Sequence, residues 1–289
     1  MRQRFSKIEY DNTFSDLNLK YISKIEAADC YSFRGLHCHQ NICEITIILA
    51  GSNKYFIHNN YENVNKNDLL VINPGIIHSE GNILPSICIG VASKRKEVTW
   101  QLIPEYRYPI FHFSAEIVRS LTQLANMAFQ LLKSDNYQAN LLANNSICNA
   151  FIPFLQNSTI TSKTIKYTNT TGGQLIKNYL DKHFFEPIKI NDMCSDLGLS
   201  KTYAEQQLVE NYGYTPIQYL TMRRIGEAQT LLITKPYLKI YEIALAVGEI
   251  ALAVGYDNVT YFNRVFKKFS GLAPKQYRKL YLKKLNFKV

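Results

Sequence analysis

Two stretches of this chain hold residues whose types and spacing could do chemistry. One is HCHQNICE, His37 to Glu44, followed by Gly51 and later by PGIIHSEGN, Pro74 to Asn82. His37 and His39 are two residues apart, so on an extended strand both imidazoles project from one face while Cys38 points the other way. Glu44 lies five residues beyond His39, and His78 follows the Pro74-Gly75 turn. Three imidazoles and a carboxylate form a ligand set for a divalent ion such as Zn, Fe, Mn or Ni. The same four residues could instead line a metal-free effector pocket, or be polar groups satisfied in the interior, and at this level the alternatives stay open.

The other stretch is Gly255 to Gly271. Phe262, Val265, Phe266 and Phe269 recur at helical spacing and form a buried stripe, with Asp257 or Asn258 as cap. Thr260, Asn263, Arg264 and Lys267 are left on the outer face, and a helix that is polar and basic outside suits a DNA major groove. Charge agrees with this. The chain has a formal net charge of +10, but residues 1–173 hold 16 Lys+Arg against 13 Asp+Glu, whereas residues 256–289 hold 9 against one. The basic end is the candidate polyanion-facing surface, with a solvated basic tail as the plain alternative.

The elements that must position these groups fall into two halves. A length of 289 residues, 46% hydrophobic and 19% charged, suits two cores. The longest apolar run, Ile45 to Ala50 with Thr46 inside it, is far too short to span a bilayer. The start, MRQRFSKIEYDN, has no apolar segment behind its basic residues, so no signal peptide is expected and a cytoplasmic location is. The six cysteines form no CxxC pair and read as reduced, mostly buried thiols.

Residues 1–156 are expected to form an effector-sensing domain. Short β-rich runs at 31–33, 44–49, 54–58, 68–72 and 87–91 are separated by turn signals and suit a small sandwich or barrel. Helical patterns at 114–133 and 137–155 either cover that barrel or pair with a second subunit. Residues 157–173, rich in Ser, Thr, Asn and Gly, read as a linker. Residues 174–289 are helical and carry a diverged repeat, GYTPIQY at 213–219 and GLAPKQY at 271–277. Each copy reads as helix, glycine turn, helix; in the first, Ile190 to Leu197 leads to Gly198 and the cap Ser200, and a helix from Tyr219 to Ile233 joins the units.

Over Gln174 to Arg278 the chain resembles the AraC/XylS (arabinose-regulator) family of transcription factors, most strongly in IYEIALAVG and YDNVTYFNRVFKKFSGLAPKQYRK. The resemblance implies two helix-turn-helix units that insert recognition helices into successive major grooves of promoter DNA. Carried over residue by residue, Val259, Thr260, Asn263 and Arg264 face bases and Lys267 faces phosphate. In the first unit Thr202, Glu205 and Gln206 are the base-contacting candidates. That unit departs from the family, with Gln206 where arginine is frequent and Gln207 where a buried leucine is usual. Residues 174–248 hold 8 basic and 8 acidic residues, so weak DNA binding is expected there.

The histidine stretches resemble the cupin motifs HxHxxxxExxxxxxG and PGxxH, with the proline directly before the glycine. GLHCHQNICEITIILAG and SICIGVASKR further resemble the chitobiose-operon regulator branch, which implies a sugar-derived effector. The expected fold class is therefore α+β in two domains: an N-terminal cupin-like β-barrel plus helices, and a C-terminal all-α double helix-turn-helix. The function that follows is a sequence-specific DNA-binding transcriptional regulator responding to a small-molecule effector. RNA polymerase and a second copy of the chain are further expected partners, and no enzyme activity is expected. Against it stands a metal-dependent cupin enzyme, which needs open coordination positions and a general base that the sequence does not assign.

A third reading comes from EIALAVGEIALAVGYDN, in which Glu242 to Gly248 is repeated unchanged at Glu249 to Gly255. Seven residues advance a helix by about 10.5 Å and turn it two turns less about 20°. A continuous helix would keep its apolar face nearly in register but displace the second unit and spoil simultaneous docking in successive grooves. The favoured alternative is that the second copy takes the native helix and the first is expelled. A regulator-derived protein with impaired DNA binding is the outcome if neither accommodates DNA.

Overall fold

The computed structural model describes residues 16–27, 33–39, 41–57, 60–82, 84–94, 102–103, 110–134, 136–157, 171–234 and 250–285. Its N-terminal part is rich in sheet and its C-terminal part is helical. Most of the expected linker, 158–170, and the first heptad copy lie outside the described residues.

Among the described residues ten strands, all paired antiparallel, run β1 (Leu17–Ile25), β2 (Phe33–Arg34), β3 (Cys43–Ile48), β4 (Ser52–Ile57), β5 (Asn60–Asn65), β6 (Asp68–Ile72), β7 (His78–Ser79), β8 (Gly81–Asn82), β9 (Ser86–Ser93) and β10 (Ile110–His112). They form a five-stranded sheet in the order β1-β9-β3-β6-β10, a two-stranded β2-β8 ladder and a three-stranded β5-β4-β7 sheet. Among the described residues these are three ladders, not one closed barrel. An isolated antiparallel bridge between His37 and His78 links the segment after β2 to β7.

β3 is the central strand, and its period-two alternation decides what each face does. Cys43, Ile45 and Ile47 pack on one side with Ile89, Val91, Leu69 and Val71. That face is covered by α1 (Ala115–Leu132) through Val118, Leu121, Ala125 and Ala128, and by Phe151 and Leu155 from the second helical stretch. The expected pair of helices thus covers the sheet. The second one is α2 (Tyr137–Ser146), a π-helical turn (Ile147–Phe151) and α3 (Ile152–Asn157). Glu44 sits on the opposite face of β3, turned toward the histidines.

The helical part comprises α4 (Gly172–His183), α5 (Ile190–Leu197), α6 (Lys201–Tyr212), α7 (Pro216–Thr234), α8 (Val259–Ser270) and α9 (Pro274–Leu285). α5 ends at the left-handed Gly198, and Ser200 caps α6 by accepting from Tyr203 N, as the sequence predicts. Asn258, not Asp257, caps α8, accepting from Tyr261 N at 2.8 Å. Ile250, Ala251 and Val254 of the second heptad copy are buried with Phe262, Phe266 and Tyr277. Gly255 follows at φ +83°, where a Cβ would lie 2.9 Å from the Arg224 guanidinium and 2.8 Å from the Phe184 carbonyl, so the turn there admits little else. No described helix is long and apolar enough to cross a membrane.

The two parts share a core. Leu36, Cys38, Phe56 and Ile77 from the sheet part are buried together with Ile176, Leu208, Tyr212, Tyr219 and Met222 of the helical part. α4, α6 and α7 all contribute to it, and α7 meets the 34–38 segment through a stripe at Arg223, Gly226, Gln229 and Thr230.

Candidate functional site

The backbone brings the four motif residues to one place. His37 and His78 exchange both backbone N–H···O bonds at 2.9 Å, and Gly75 N donates to His39 O at 2.9 Å. The Pro74-Gly75 turn is thereby pinned to the HxH segment, and β3 supplies Glu44. His37, His39, Glu44 and His78 each offer a donor atom, these atoms all lie within 4.8 Å of one another, and all four residues are buried. Cys38 points away, accepting from Arg223 at 3.3 Å, as the alternation predicts.

Glu44 is the hub. His78 Nε2 lies 2.9 Å from its Oε2, and Tyr21 donates its hydroxyl hydrogen to Oε1. His78 Nδ1 faces the Ile76 carbonyl at 3.0 Å, so with both nitrogens donating the ring pairs with Glu44 as an imidazolium. Burial alone would raise the Glu44 pKa, but the His39 and His78 rings against it bring it well below the ordinary carboxylate value. Burial works the other way on His78, and its bond to Glu44 outweighs it, so its pKa is raised. His39 Nε2 approaches Oε1 to 3.2 Å without hydrogen-bond alignment and is a buried nitrogen with no hydrogen-bond partner among the described residues.

His37 is arranged differently. Its Nδ1 faces the Gly35 carbonyl at 2.8 Å, which makes Nδ1–H the donor and leaves the Nε2 lone pair as acceptor. That lone pair accepts from Arg34 Nε at 3.1 Å. Burial first, then the Arg34 charge, hold the His37 pKa well below the ordinary histidine value, so the ring is neutral.

This donor set fits a divalent cation. It offers three imidazoles, that of His78 once its Nε2 proton is lost, one ionised carboxylate, and a buried His39 Nε2 that lies 3.2 Å from that carboxylate and has no hydrogen-bond partner among the described residues. His39, Glu44, His78 and His37 are the residues that would hold the ion.

The candidate DNA-facing residues sit where their helices leave them open. On α8, Val259, Thr260, Arg264 and Lys267 are exposed, Asn263 is half-buried, and Phe262, Val265 and Phe266 are inside. Arg264 also stacks over the Tyr261 ring at 5.2 Å. On α6, Thr202, Glu205 and Gln206 are exposed, and Glu205 lies 4.0 Å from Lys201.

Sequence reasoning missed the residues around the cluster. Tyr21 lies on a strand that was not expected. Arg34 touches Thr230 Oγ1 at 3.3 Å and the Tyr277 hydroxyl at 3.5 Å, and lies 3.9 Å from Glu80, while Gly35 N donates to Gln229 Oε1 at 2.9 Å. The available signal was in α7, where an interior glycine, Gly226, stands three and four residues before Gln229 and Thr230 on a helix with an otherwise apolar stripe.

Residues 193–280 match the helix-turn-helix domain family. The uncharacterized HTH-type transcriptional regulator YisR of Bacillus subtilis is 32% identical over 107 residues, 37% of this chain and 34% of its own length. The match therefore spans about a third of that relative. The HTH-type transcriptional activator RhaR of Shigella dysenteriae is 24% identical over 273 residues, 89% of this chain and 92% of RhaR. Among solved structures, ToxT of Vibrio cholerae is 16% identical, with a TM-score of 0.45 over 92% of this chain and 98% of ToxT.

Proposed function

We propose that this chain, which belongs to the AraC/XylS family of transcriptional regulators, binds promoter DNA through two helix-turn-helix units and adjusts that binding to a small molecule held in a cupin-like sensor. α5–α6 and the segment ending in α8 are the two units. Residues 1–156 are the sensor and 174–289 the DNA-binding domain. The observation that carries the reading is α8, whose buried face is Phe262, Val265 and Phe266 while Val259, Thr260, Arg264 and Lys267 face outward within the region matched to the helix-turn-helix family. Such a helix offers a guanidinium for guanine and an ammonium for phosphate from one exposed surface.

In this reading α6 contributes through Thr202, Glu205 and Gln206, more weakly because residues 174–248 carry no net charge with which to hold phosphates. His37, His39, Glu44 and His78 form the effector-binding site and hold a divalent cation, which supplies a fixed Lewis-acidic centre to an oxygen-bearing effector such as a sugar derivative. Homodimerisation and contact with RNA polymerase belong to the same proposal, as does action inside the cell. A gel-shift titration against the chain's own upstream DNA and a random duplex, at several salt concentrations, tests it. Salt-sensitive, sequence-selective binding supports the regulator, and equal binding to both duplexes sinks it.

A further inference from the structure

We infer that Arg34 is a latch whose release couples cation binding at the histidine cluster to the packing of α8, the proposed DNA-reading helix. The inference rests on the reading of His37, His39, Glu44 and His78 as a cation site and adds how that site is heard elsewhere.

His37 spends Nδ1–H on Gly35 O, so Nε2 is its only remaining donor to a metal, and Arg34 Nε–H already lies on it at 3.1 Å. An imidazole nitrogen has one lone pair, which serves a hydrogen bond or a metal but not both. A divalent ion bound by all four residues must therefore push Arg34 off, and the repulsion between the ion and the buried guanidinium acts in the same direction.

The other two nitrogens of Arg34 hold the helical part. Nη2 donates to Thr230 Oγ1 on α7 at 3.3 Å and Nη1 to the Tyr277 hydroxyl on α9 at 3.5 Å. Tyr277 in turn packs edge-on against Phe266 at 5.4 Å, and Phe266 is part of the buried face of α8. Residues 34–37 thus run from a ligand of the cluster to the underside of that helix in three contacts: His37 to Arg34, Arg34 to Tyr277, Tyr277 to Phe266. A displaced Arg34 has a receiver nearby, since Glu80 Oε2 is 3.9 Å from its Nε and is itself largely buried. Cation binding exchanges the His37, Thr230 and Tyr277 contacts for a closer pairing with Glu80.

Linkage then requires reciprocity: weakening the latch on the helical side must strengthen cation binding at a cluster those residues do not touch. The test titrates Co2+ into the full chain and reads its visible ligand-field absorption, with hydrogen exchange of α7 amides as the second readout. Arg34→Met and the near-isosteric pair Thr230→Val with Tyr277→Phe are compared with the unaltered protein. Both variants are expected to bind Co2+ more tightly, within the range of about 5- to 150-fold usual for coupled sites, and Co2+ is expected to speed exchange at residues 223–230 in the unaltered chain only.

Tighter binding in Arg34→Met with no change in the Thr230/Tyr277 pair would reduce Arg34 to a local repulsion and overturn the coupling. Equal affinity in all three proteins, with Co2+ bound, overturns the latch and leaves the cation site standing. Absence of Co2+ absorption in every protein overturns the cation site itself, and the latch with it. Should Arg34→Met fail to fold, the Thr230/Tyr277 pair decides alone.

Discussion

Gly226, in the middle of α7, lies so close to Leu36 that a Cβ on it would fall 2.0 Å from the Leu36 carbonyl oxygen. Its backbone is what the 34–38 segment leans on. Alanine in a helix interior ordinarily stabilises by about 0.5–1 kcal/mol over glycine, but here it must push the segment away at a cost of about 1–3 kcal/mol. Gly226→Ala is therefore expected to lower the melting temperature and to open the Gly35 N to Gln229 bond to hydrogen exchange. A more stable Gly226→Ala protein would show that the close approach does not hold the two parts together.

The cluster makes stability depend on pH in a direction that can be worked out. In metal-free protein the Glu44 pKa lies well below 4.5, so its contribution is present above about that pH, the usual unfolded-state range, and is lost as pH falls through the folded value. The His78 pKa is raised above 6.5, so its contribution is complete below 6.5 and is lost as pH rises through the folded value. The pair is worth most between 4.5 and 6.5. His37, held neutral, opposes this, because the unfolded chain gains a proton there as pH drops below 6.5. Thermal melts in chelator should show the loss from Glu44→Gln to be greatest in that window, reaching about 3–5 kcal/mol for a broken buried pair. A loss of the same size at all pH values would mean that the ion pair is not what Glu44 contributes.

What could be read in advance followed from local rules. The turn at Gly198, the Ser200 cap, the start of α5 at Ile190 and the inward stripe of α8 are consequences of side-chain chemistry within a few residues. The four residues of the histidine cluster were legible because two short motifs contain them all. Tyr21 and Arg34 were not, since their importance comes from partners at Glu44, Thr230 and Tyr277, the last two of them about two hundred residues away or more. β1 was missed although LNLKYISKI alternates apolar and polar residues, the period-two pattern of a half-buried strand, which its antiparallel pairing with β9 bears out. The turn spacing suits a sandwich or a barrel and the cupin resemblance implies a barrel, but the described residues form three ladders, because spacing fixes strand lengths and not which edges meet.

On α8, Arg264 and Lys267 are both exposed but should behave differently. Arg264→Ala is expected to cost about 1–3 kcal/mol on the preferred duplex and to relax selectivity at one base pair. Lys267→Ala should weaken binding to all duplexes alike and reduce the salt slope by about one. Gel shifts over a panel of single-base variants separate the two. Loss of selectivity from the lysine change, or none from the arginine change, would mean that the helix docks in another orientation.

The duplicated heptad yields a clean test because deletion of either copy leaves the same sequence. The second copy already occupies a core position: Ile250 and Val254 are buried against Phe262 and Phe266, and Gly255 makes the left-handed turn against Arg224. With those contacts taken, Glu242 to Gly248 adds seven residues to the sequence between α7 and α8 and brings Ile243, Leu245 and Val247 with it. Removing seven residues should leave the packing around Phe262 intact while shortening the connection between α6 and α8. Both the melting temperature and DNA affinity are expected to rise. Ile250→Ala in the chain that keeps both copies supplies the control, with an expected loss of about 2–5 kcal/mol if the second copy is the structural one. If Ile250→Ala is nearly silent, the two copies share the core position, and the deletion should then leave both stability and affinity unchanged.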